Sequence, residues 1–519
     1  MQESRTTKSI KNAEVSIIYY TLNLIVGFWS RKVFYDYLGS EVLGLDTTAS
    51  TLLSFLNLAE LGVGASVAFF LYQPMFNKDT LTINEIVSLQ GWIYRRVAYV
   101  IMAAAVILMC FFPVIFAKID LPQWYPYATF LVMLFGSLLG YFINYRQCVL
   151  SADQKGYKVT RVTSGANLLF KIILILILPY VPCPFLFYLG TNLIGTIFGS
   201  LWLNHVLKTE YPWLHRAELN GKQLLKRYPD VLKKTSQLFF HQITTFIVFK
   251  VAPLIMYAYT SLTAIAYYGN YLTIVDKAKD ILDMAFGSTQ AAIGNLIASH
   301  DKNRIMDVYW ELTDSRLCIS SASLMIIGLI TEPLISVWLS PKYLLSSSVL
   351  SLVVINSWLY INRRTNDSYI NGYGIFQDIW APAVEGLINF GVAIFFGRLY
   401  GIAGVLSGTT ASTLIIVYGW KPYFLFHSGI HLHPLKDYYL PISGRWLLVA
   451  INAFLFFFFN EMFSPAHFHS FFDVALYGLV ISLIIFPIMY VQFYLLTPGT
   501  RAFHKRIVNL ISVKFHKSK

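Results

Sequence analysis

Four cations inside apolar segments are the residues of this sequence best suited to chemistry. Arg31, Lys32 and Lys250 lie in the outer halves of long apolar stretches, and Lys277 lies nearer the middle of one. An unpaired Arg or Lys at the centre of a membrane helix costs roughly 2.5–3.5 kcal/mol on insertion scales. A guanidinium binds phosphate oxygens bidentately, and an ammonium supplies a point charge. The pattern therefore favours a wet, cationic cavity that receives a phosphate or pyrophosphate.

Acids near these cations leave a second interpretation open. Asp46 is placed to pair with Arg31 across the first external turn, and Asp276 and Asp280 flank Lys277. Purely structural ion pairs, or a lysine that reaches the outer surface, would also make such charges tolerable.

Polar side chains recur at helical spacing in the first, second, seventh and eighth apolar stretches. Such a stripe faces protein or water, because side chains that face lipid are apolar. The alternative is packing between helices, which small and polar residues also mediate. The resulting cavity candidates are Arg31, Lys32, Asp46, Asn23, Asn57, Lys250, His241, Asp276, Lys277 and Asp280.

Four further charged residues lie near the predicted cytoplasmic ends of their helices. They are Glu60, Arg146, Arg363 and Arg364, which we interpret as candidates for a cytoplasmic gate or for first capture of an anionic head group. Asp367 and Asp378 are candidate partners of the arginines. Ordinary anchoring of basic residues at the inner surface is the alternative for the arginines, and a structural role is the alternative for Glu60.

The sequence contains no catalytic constellation and no phosphate-binding Gly-Lys-Ser/Thr loop, so we predict neither an enzyme nor an ATPase. We predict no metal site at the histidines of residues 427–433 and no cofactor. The energy for transport would then come from substrate flux or from a coupling ion, Na⁺ or H⁺. The sequence does not decide between these sources.

The elements that must position these residues are transmembrane helices. Of 519 residues, 56% are hydrophobic and only 13% are charged, about half the charged share of a soluble protein. The apolar runs are roughly 20 residues long, as a helix needs to cross a bilayer. We predict an all-α integral membrane protein with about fourteen spans, of which the second and eighth extend past the membrane as helix. The spans are 13–36, 43–73, 92–117, 125–148, 159–181, 184–207, 236–258, 264–298, 315–339, 345–362, 377–397, 400–426, 443–461 and 472–497.

Basic residues concentrate in alternate loops, which predicts a multi-pass membrane protein with both termini in the cytoplasm. The net charge of +13 then indicates loops that face anionic lipid rather than a nucleic-acid partner.

A weak internal repeat organises the spans. At an offset of 218 residues, Asn144, Arg146 and Gly156 match Asn362, Arg364 and Gly374, each set after the fourth span of its half. We therefore predict two pseudo-symmetric six-helix lobes related by an axis along the membrane normal. The predicted parts are a first lobe (1–210), a cytoplasmic amphipathic linker (211–235), a second lobe (236–427), a loop with two additional helices (428–500) and a basic tail (501–519).

The first 75 residues resemble the bacterial polysaccharide or O-antigen (Wzx-type) flippases of the multidrug/oligosaccharidyl-lipid/polysaccharide exporter superfamily. Span count and loop lengths extend the resemblance over most of the chain. The residues that carry it are Ser30-Arg31-Lys32-Val33-Phe34, Tyr37-Leu38-Gly39, Leu43-Gly44-Leu45, Leu58-Ala59-Glu60-Leu61-Gly62-Val63-Gly64 and Leu71-Tyr72.

This resemblance implies a V-shaped bundle of twelve core helices with a central cationic cavity. It implies transport of undecaprenyl-pyrophosphate-linked oligosaccharide to the outer leaflet, with membrane lipids and other polysaccharide-assembly proteins as partners. Arg31 matches the family's basic position and Glu60 its acid. A multidrug exporter of the same fold is one alternative, although organic cations would favour acids in the cavity. A membrane polymerase or glycosyltransferase, and a non-transporting scaffold, are the others.

Overall fold

The computed structural model describes residues 5–60, 63–233, 235–236, 252–286, 293, 296–297, 301–375, 377–378, 380–463 and 468–517. Within these residues all regular secondary structure is helical. The chain divides into two compact units, residues 1–266 and 267–519. Eight helices of the described part are long and apolar enough to cross a membrane. The predicted all-α membrane fold is confirmed, and its helices fit about fourteen spans.

Unit 1 holds the first six predicted spans. Its helix Arg5–Leu56 contains a break at Gly39, where φ is +81°, a backbone conformation that glycine adopts readily. This break lies in the turn predicted between the first two spans. The longer helices that follow are Val63–Asn77, Thr80–Cys110, Trp124–Phe142, Gly156–Ile177 and Pro184–Glu210.

The second predicted span is interrupted, which corrects the expectation of one long helix. Its α-helical part ends at Leu56, a 3₁₀ turn covers Asn57–Glu60, and helix resumes at Val63. Both polar side chains predicted for this region, Asn57 and Glu60, therefore sit on the turn itself.

The predicted amphipathic linker contains a seven-residue helix, Gly221–Arg227, rather than one long surface helix. The Asn220 side chain caps this helix. A Cβ on Gly221 would lie 2.0 Å from the Trp92 ring, and Arg227 Nη1 donates to Glu85 Oε1 at 2.8 Å. These contacts attach the linker to the Thr80–Cys110 helix.

Unit 2 holds the spans from the eighth onward, since the seventh predicted span, 236–258, falls within unit 1. A break at Gly401, with φ of +57°, separates the two spans predicted at 377–397 and 400–426. The principal helices assigned to this half are Leu262–Phe286, which begins in unit 1, Lys302–Trp338, Ser347–Tyr373, Trp380–Ser412, Leu440–Phe463 and Phe471–Leu496.

The basic tail is also helical over Pro498–Lys517, and we refer to this segment as the tail helix. It packs on the Lys302–Trp338 helix. The Gly499 N–H donates to Asp314 Oδ2 at 3.0 Å, and Arg506 Nη2 donates to Glu311 Oε2 at 2.8 Å. The tail is therefore a packed element of unit 2.

Candidate functional site

Arg31 and Asp46 lie close together in unit 1. The Arg31 Nη2 donates to the backbone oxygen of Ala266 at 3.1 Å, and its guanidinium lies 6.0 Å from the centre of the Tyr35 ring. Asp46 accepts a hydrogen bond from the Tyr188 hydroxyl and is near enough to Arg31 to interact electrostatically. The two charges therefore partly offset one another.

Asn23 and Lys32 are two further cavity candidates on the first span. Asn23 Nδ2 donates to the backbone oxygen of Tyr19, one turn earlier, at 3.0 Å. This amide hydrogen is thus used within its own helix. Lys32 is half-buried and follows Arg31 directly.

Asn57 and Glu60 belong to a polar cavity of about 470 Å³ in unit 1, which we call the Glu60 cavity. Tyr94 donates to Glu60 Oε1 at 2.7 Å, and Tyr141 lies 2.8 Å from Glu60 Oε2. Asn57 Oδ1 lies 3.0 Å from both the Ser137 and the Tyr141 hydroxyls. The break in the second span thus points its polar side chains at the third and fourth spans.

Arg146 lies beside this cavity without lining it. Its Nε donates to the Tyr145 hydroxyl at 3.3 Å, and its guanidinium lies 5.7 Å from that ring's centre. Tyr145 itself lines the cavity. Arg146 and Glu60, both predicted as gate residues, are therefore linked only indirectly.

The loop that follows is held by ion pairs. Lys155 Nζ lies 2.7 Å from Asp153 Oδ2 and 2.5 Å from Glu210 Oε1. Burial lowers the pKa of Lys155, but hydrogen bonds to the two carboxylates outweigh it and the net pKa is raised. The lysine therefore stays charged at neutral pH.

Two cavity candidates, His241 and Lys250, lie outside the described residues, as does most of the predicted seventh span.

The charges of the eighth span are paired along their helix. Lys277 Nζ lies 3.7 Å from Asp280 Oδ2, and Lys279 pairs with Asp276. The structure thus brings the three predicted residues of this span together, but as two short-range ion pairs. Lys277 is therefore not a solitary charge.

The two predicted gate arginines of unit 2 have different partners. Arg363 Nε lies 3.0 Å from Asp367 Oδ2, and its Nη1 lies 3.6 Å from Glu385 Oε1. Arg364 binds Asp283 with two nitrogens, at 3.2 and 2.8 Å. Asp367 thus pairs with its neighbour on the same helix, as expected, whereas Asp283 is a partner that the sequence pattern did not predict.

Arg316 is the charged residue that the sequence reasoning missed. Its side chain is 3% exposed, its Nε has no hydrogen-bond acceptor, and its Nη1 contacts Thr365 Oγ1 at 3.3 Å. Within the described part of the chain it forms no ion pair with a carboxylate, although Arg364 and Asp283 are near enough to interact electrostatically. A buried cation without a paired acid is costly and marks a functional candidate.

A buried charge pair joins the helix Leu440–Phe463 to the helix Lys302–Trp338. Arg445 binds Asp314 through two nitrogens, and its guanidinium lies 4.1 Å from the centre of the Trp310 ring. Both partners are satisfied, which indicates a structural role.

The helices and the intramembrane charges define a multi-pass α-helical membrane protein. No family model and no curated protein matches the sequence. Its fold is nevertheless found in solved transporters. The structure described as "Lipid II flippase MurJ, inward closed conformation" matches with a TM-score of 0.66 at 17% identity, over 93% of this chain and 99% of that chain.

Two multidrug transporter structures share the fold as well. An inward-facing MATE family transporter of the MOP superfamily matches with a TM-score of 0.56 at 13% identity, over 79% of this chain and 96% of that chain. A MATE protein in the bent conformation matches with a TM-score of 0.51 at 13% identity, over 85% of this chain and 97% of that chain. The chain therefore has the transporter fold that these proteins share.

Proposed function

We propose that this protein flips undecaprenyl-pyrophosphate-linked oligosaccharide units from the cytoplasmic to the outer leaflet of the bacterial cytoplasmic membrane. The product would serve surface polysaccharide biosynthesis, such as that of O-antigen, capsule or exopolysaccharide. The resemblance of the first 75 residues supports this proposal, and so does the fold shared with a lipid II flippase.

The observation that carries the proposal is the buried Arg316 guanidinium. It lies in an apolar span, beside Arg364, with no carboxylate in ion-pair contact among the described residues. Arg364 in turn shares its charge with Asp283. Asp367 is also near both guanidiniums but is paired with Arg363. Three guanidiniums near these two aspartates leave a net positive charge, which a phosphate or pyrophosphate would neutralise.

In the proposed mechanism Arg364 exchanges partners. In the present arrangement it is held by Asp283, which limits the repulsion between the two arginines. When the pyrophosphate enters, its oxygens replace the carboxylate as the partner of a guanidinium fork. The lipid tail stays in hydrocarbon throughout, because removing it from the bilayer would forfeit its hydrophobic stabilisation.

The test is transport by purified protein in liposomes that contain a fluorescent undecaprenyl-pyrophosphate oligosaccharide. We expect Arg316→Gln to slow flipping about tenfold or more, the loss expected when a charged contact disappears. Arg227→Gln is the control, because it also removes a guanidinium, but one that lies in the linker and is paired with Glu85. Equal loss in both variants, or none in Arg316→Gln, would contradict the proposal.

A multidrug exporter is the second candidate, and the fold shared with MATE transporters favours it. An exporter of organic cations has no use for a buried Arg316, since a cationic side chain repels such substrates. Proton- or sodium-driven efflux of ethidium by the same liposomes, with no movement of the lipid-linked sugar, would decide for the exporter.

A further inference from the structure

The Glu60 cavity has the chemistry of a cation site, and it is built entirely within unit 1. It lies where the second span breaks, between that break and the third and fourth spans. Its polar lining includes Asn57, Glu60, Gln90, Tyr94, Ser137 and Tyr141. A helix break is one of the few places within a membrane protein where oxygen atoms can gather around an ion, because it lines a cavity rather than facing lipid.

The hydrogen-bond partners of Glu60 are two tyrosine hydroxyls. Oε1 lies 2.7 Å from the Tyr94 hydroxyl, and Oε2 lies 2.8 Å from the Tyr141 hydroxyl. No Lys, Arg or His of the described residues forms an ion pair with Glu60. When it is ionised, Glu60 therefore carries a negative charge that no basic side chain of the described chain neutralises by an ion pair.

Gln90 is the second, independent observation. This residue is 2% exposed and lines the cavity, yet its Oε1 has no hydrogen-bond donor. A buried amide oxygen without a partner is uncommon, because it loses its hydration without replacement. A proton donor or a cation within the cavity would stabilise this oxygen.

The neighbouring amide adds to the excess of acceptors. As oriented in the structure, Asn57 Oδ1 competes with Glu60 Oε2 for the Tyr141 hydroxyl. A phenol has one proton and can serve only one of them at a time. With Glu60 ionised, one of these two oxygens therefore lacks the Tyr141 proton, and Gln90 Oε1 lacks a donor as well.

We propose that the Glu60 cavity binds one monovalent metal cation, with the Glu60 carboxylate supplying the charge and the Asn57 and Gln90 oxygens supplying neutral ligands. Sites for Ca²⁺ and Mg²⁺ rely on carboxylates and water at close range, and this cavity offers a single carboxylate. The bound ion would tie the broken second span to the helix Thr80–Cys110, which carries Gln90. The site is independent of what the protein transports.

The experiment measures binding of radioactive Na⁺ to the purified full-length protein in detergent, in choline buffer and without any lipid-linked sugar. We expect saturable binding that K⁺ or excess unlabelled Na⁺ displaces. Glu60→Gln should weaken the affinity about tenfold or more, because it removes the charged ligand. Gln90→Leu, which removes only a neutral ligand, should weaken it about threefold to tenfold.

Glu85→Gln is the matched control. Glu85 is a buried glutamate of the same unit that also accepts from a tyrosine, but it is paired with Arg227 and does not line the cavity. Its substitution should leave the Na⁺ affinity unchanged. The proposal is overturned if the wild type binds neither Na⁺ nor K⁺, or if Glu60→Gln and Glu85→Gln bind alike. Should Glu60→Gln fail to fold, unchanged affinity in Gln90→Leu would overturn it instead.

Discussion

Truncating Arg445 to alanine should destabilise unit 2 more than removing Arg506, a more exposed arginine whose acidic partner lies on the same helix as Asp314. The Asp314 side chain is 0% exposed and that of Arg445 is 11% exposed, and the two form two hydrogen bonds. Removing one partner of a buried pair strands the other charge and costs about 3–5 kcal/mol. Arg506 is the comparison, since its side chain is 55% exposed while its partner Glu311 is 7% exposed. Water screens this half-exposed pair more than the Arg445–Asp314 pair, so we expect a smaller loss on removing Arg506.

The assay is thermal unfolding of each purified variant in one detergent. Arg445→Ala should lower the midpoint clearly more than Arg506→Ala does. Adding Asp314→Asn to Arg445→Ala should restore part of the loss, because the neutral amide removes the stranded charge. Equal midpoints for the two alanine variants would refute the reasoning, and so would a further loss on adding Asp314→Asn.

Two glycine positions give further predictions that heating followed by size-exclusion chromatography can check. In Gly499→Ala the new Cβ would lie 2.1 Å from a backbone oxygen of the neighbouring helix. We therefore expect the free energy of unfolding to fall by about 1–3 kcal/mol or more. In Gly478→Ala the new Cβ would lie 3.6 Å from its nearest neighbouring atom. Because alanine has the higher helix propensity, the free energy of unfolding should instead rise by about 0.5–1 kcal/mol. Gly44→Ala would place a Cβ 2.0 Å from a backbone oxygen and should also destabilise, whereas Gly27→Ala meets nothing within 4 Å and should not. A Gly44→Ala protein as stable as Gly27→Ala would contradict the described packing.

Apolar runs predicted the helices well, because a membrane-spanning backbone must satisfy its hydrogen bonds internally. The prediction 472–497 corresponds to Phe471–Leu496, and 184–207 corresponds to Pro184–Glu210. The break after Leu56 was not predictable from hydropathy, since the apolar run continues through it. The helical state of the tail was missed because the segment was interpreted from its charge alone, although Phe503, Ile507 and Leu510 recur at helical spacing.

The candidate site was predictable only where its partners are close in sequence. Arg31 lies near Asp46 because a single turn joins the two segments that carry them. Lys277 pairs with Asp280 because the two are three residues apart on one helix. The Arg364–Asp283 pair joins two helices far apart in sequence, so no local period reveals it.

Arg316 was passed over because of where its span was predicted to begin. With a span starting at residue 315, an arginine at 316 resembles an ordinary anchor at the inner surface. The helix in fact begins at Lys302, and the side chain is buried rather than at a helix end. The roles of the cavity and gate residues, the lobe boundaries and the orientation of the termini all stay predictions.

The most direct test of the proposed function compares two lipids in liposomes that contain the wild-type protein. One carries its oligosaccharide on undecaprenyl pyrophosphate, and the other carries the same oligosaccharide on a neutral polyprenyl ether. If buried arginines recognise the head group, the protein should flip the first lipid well above the rate in protein-free liposomes and leave the second near that rate. Equal flipping of both lipids, or no flipping of the pyrophosphate lipid, would contradict the account.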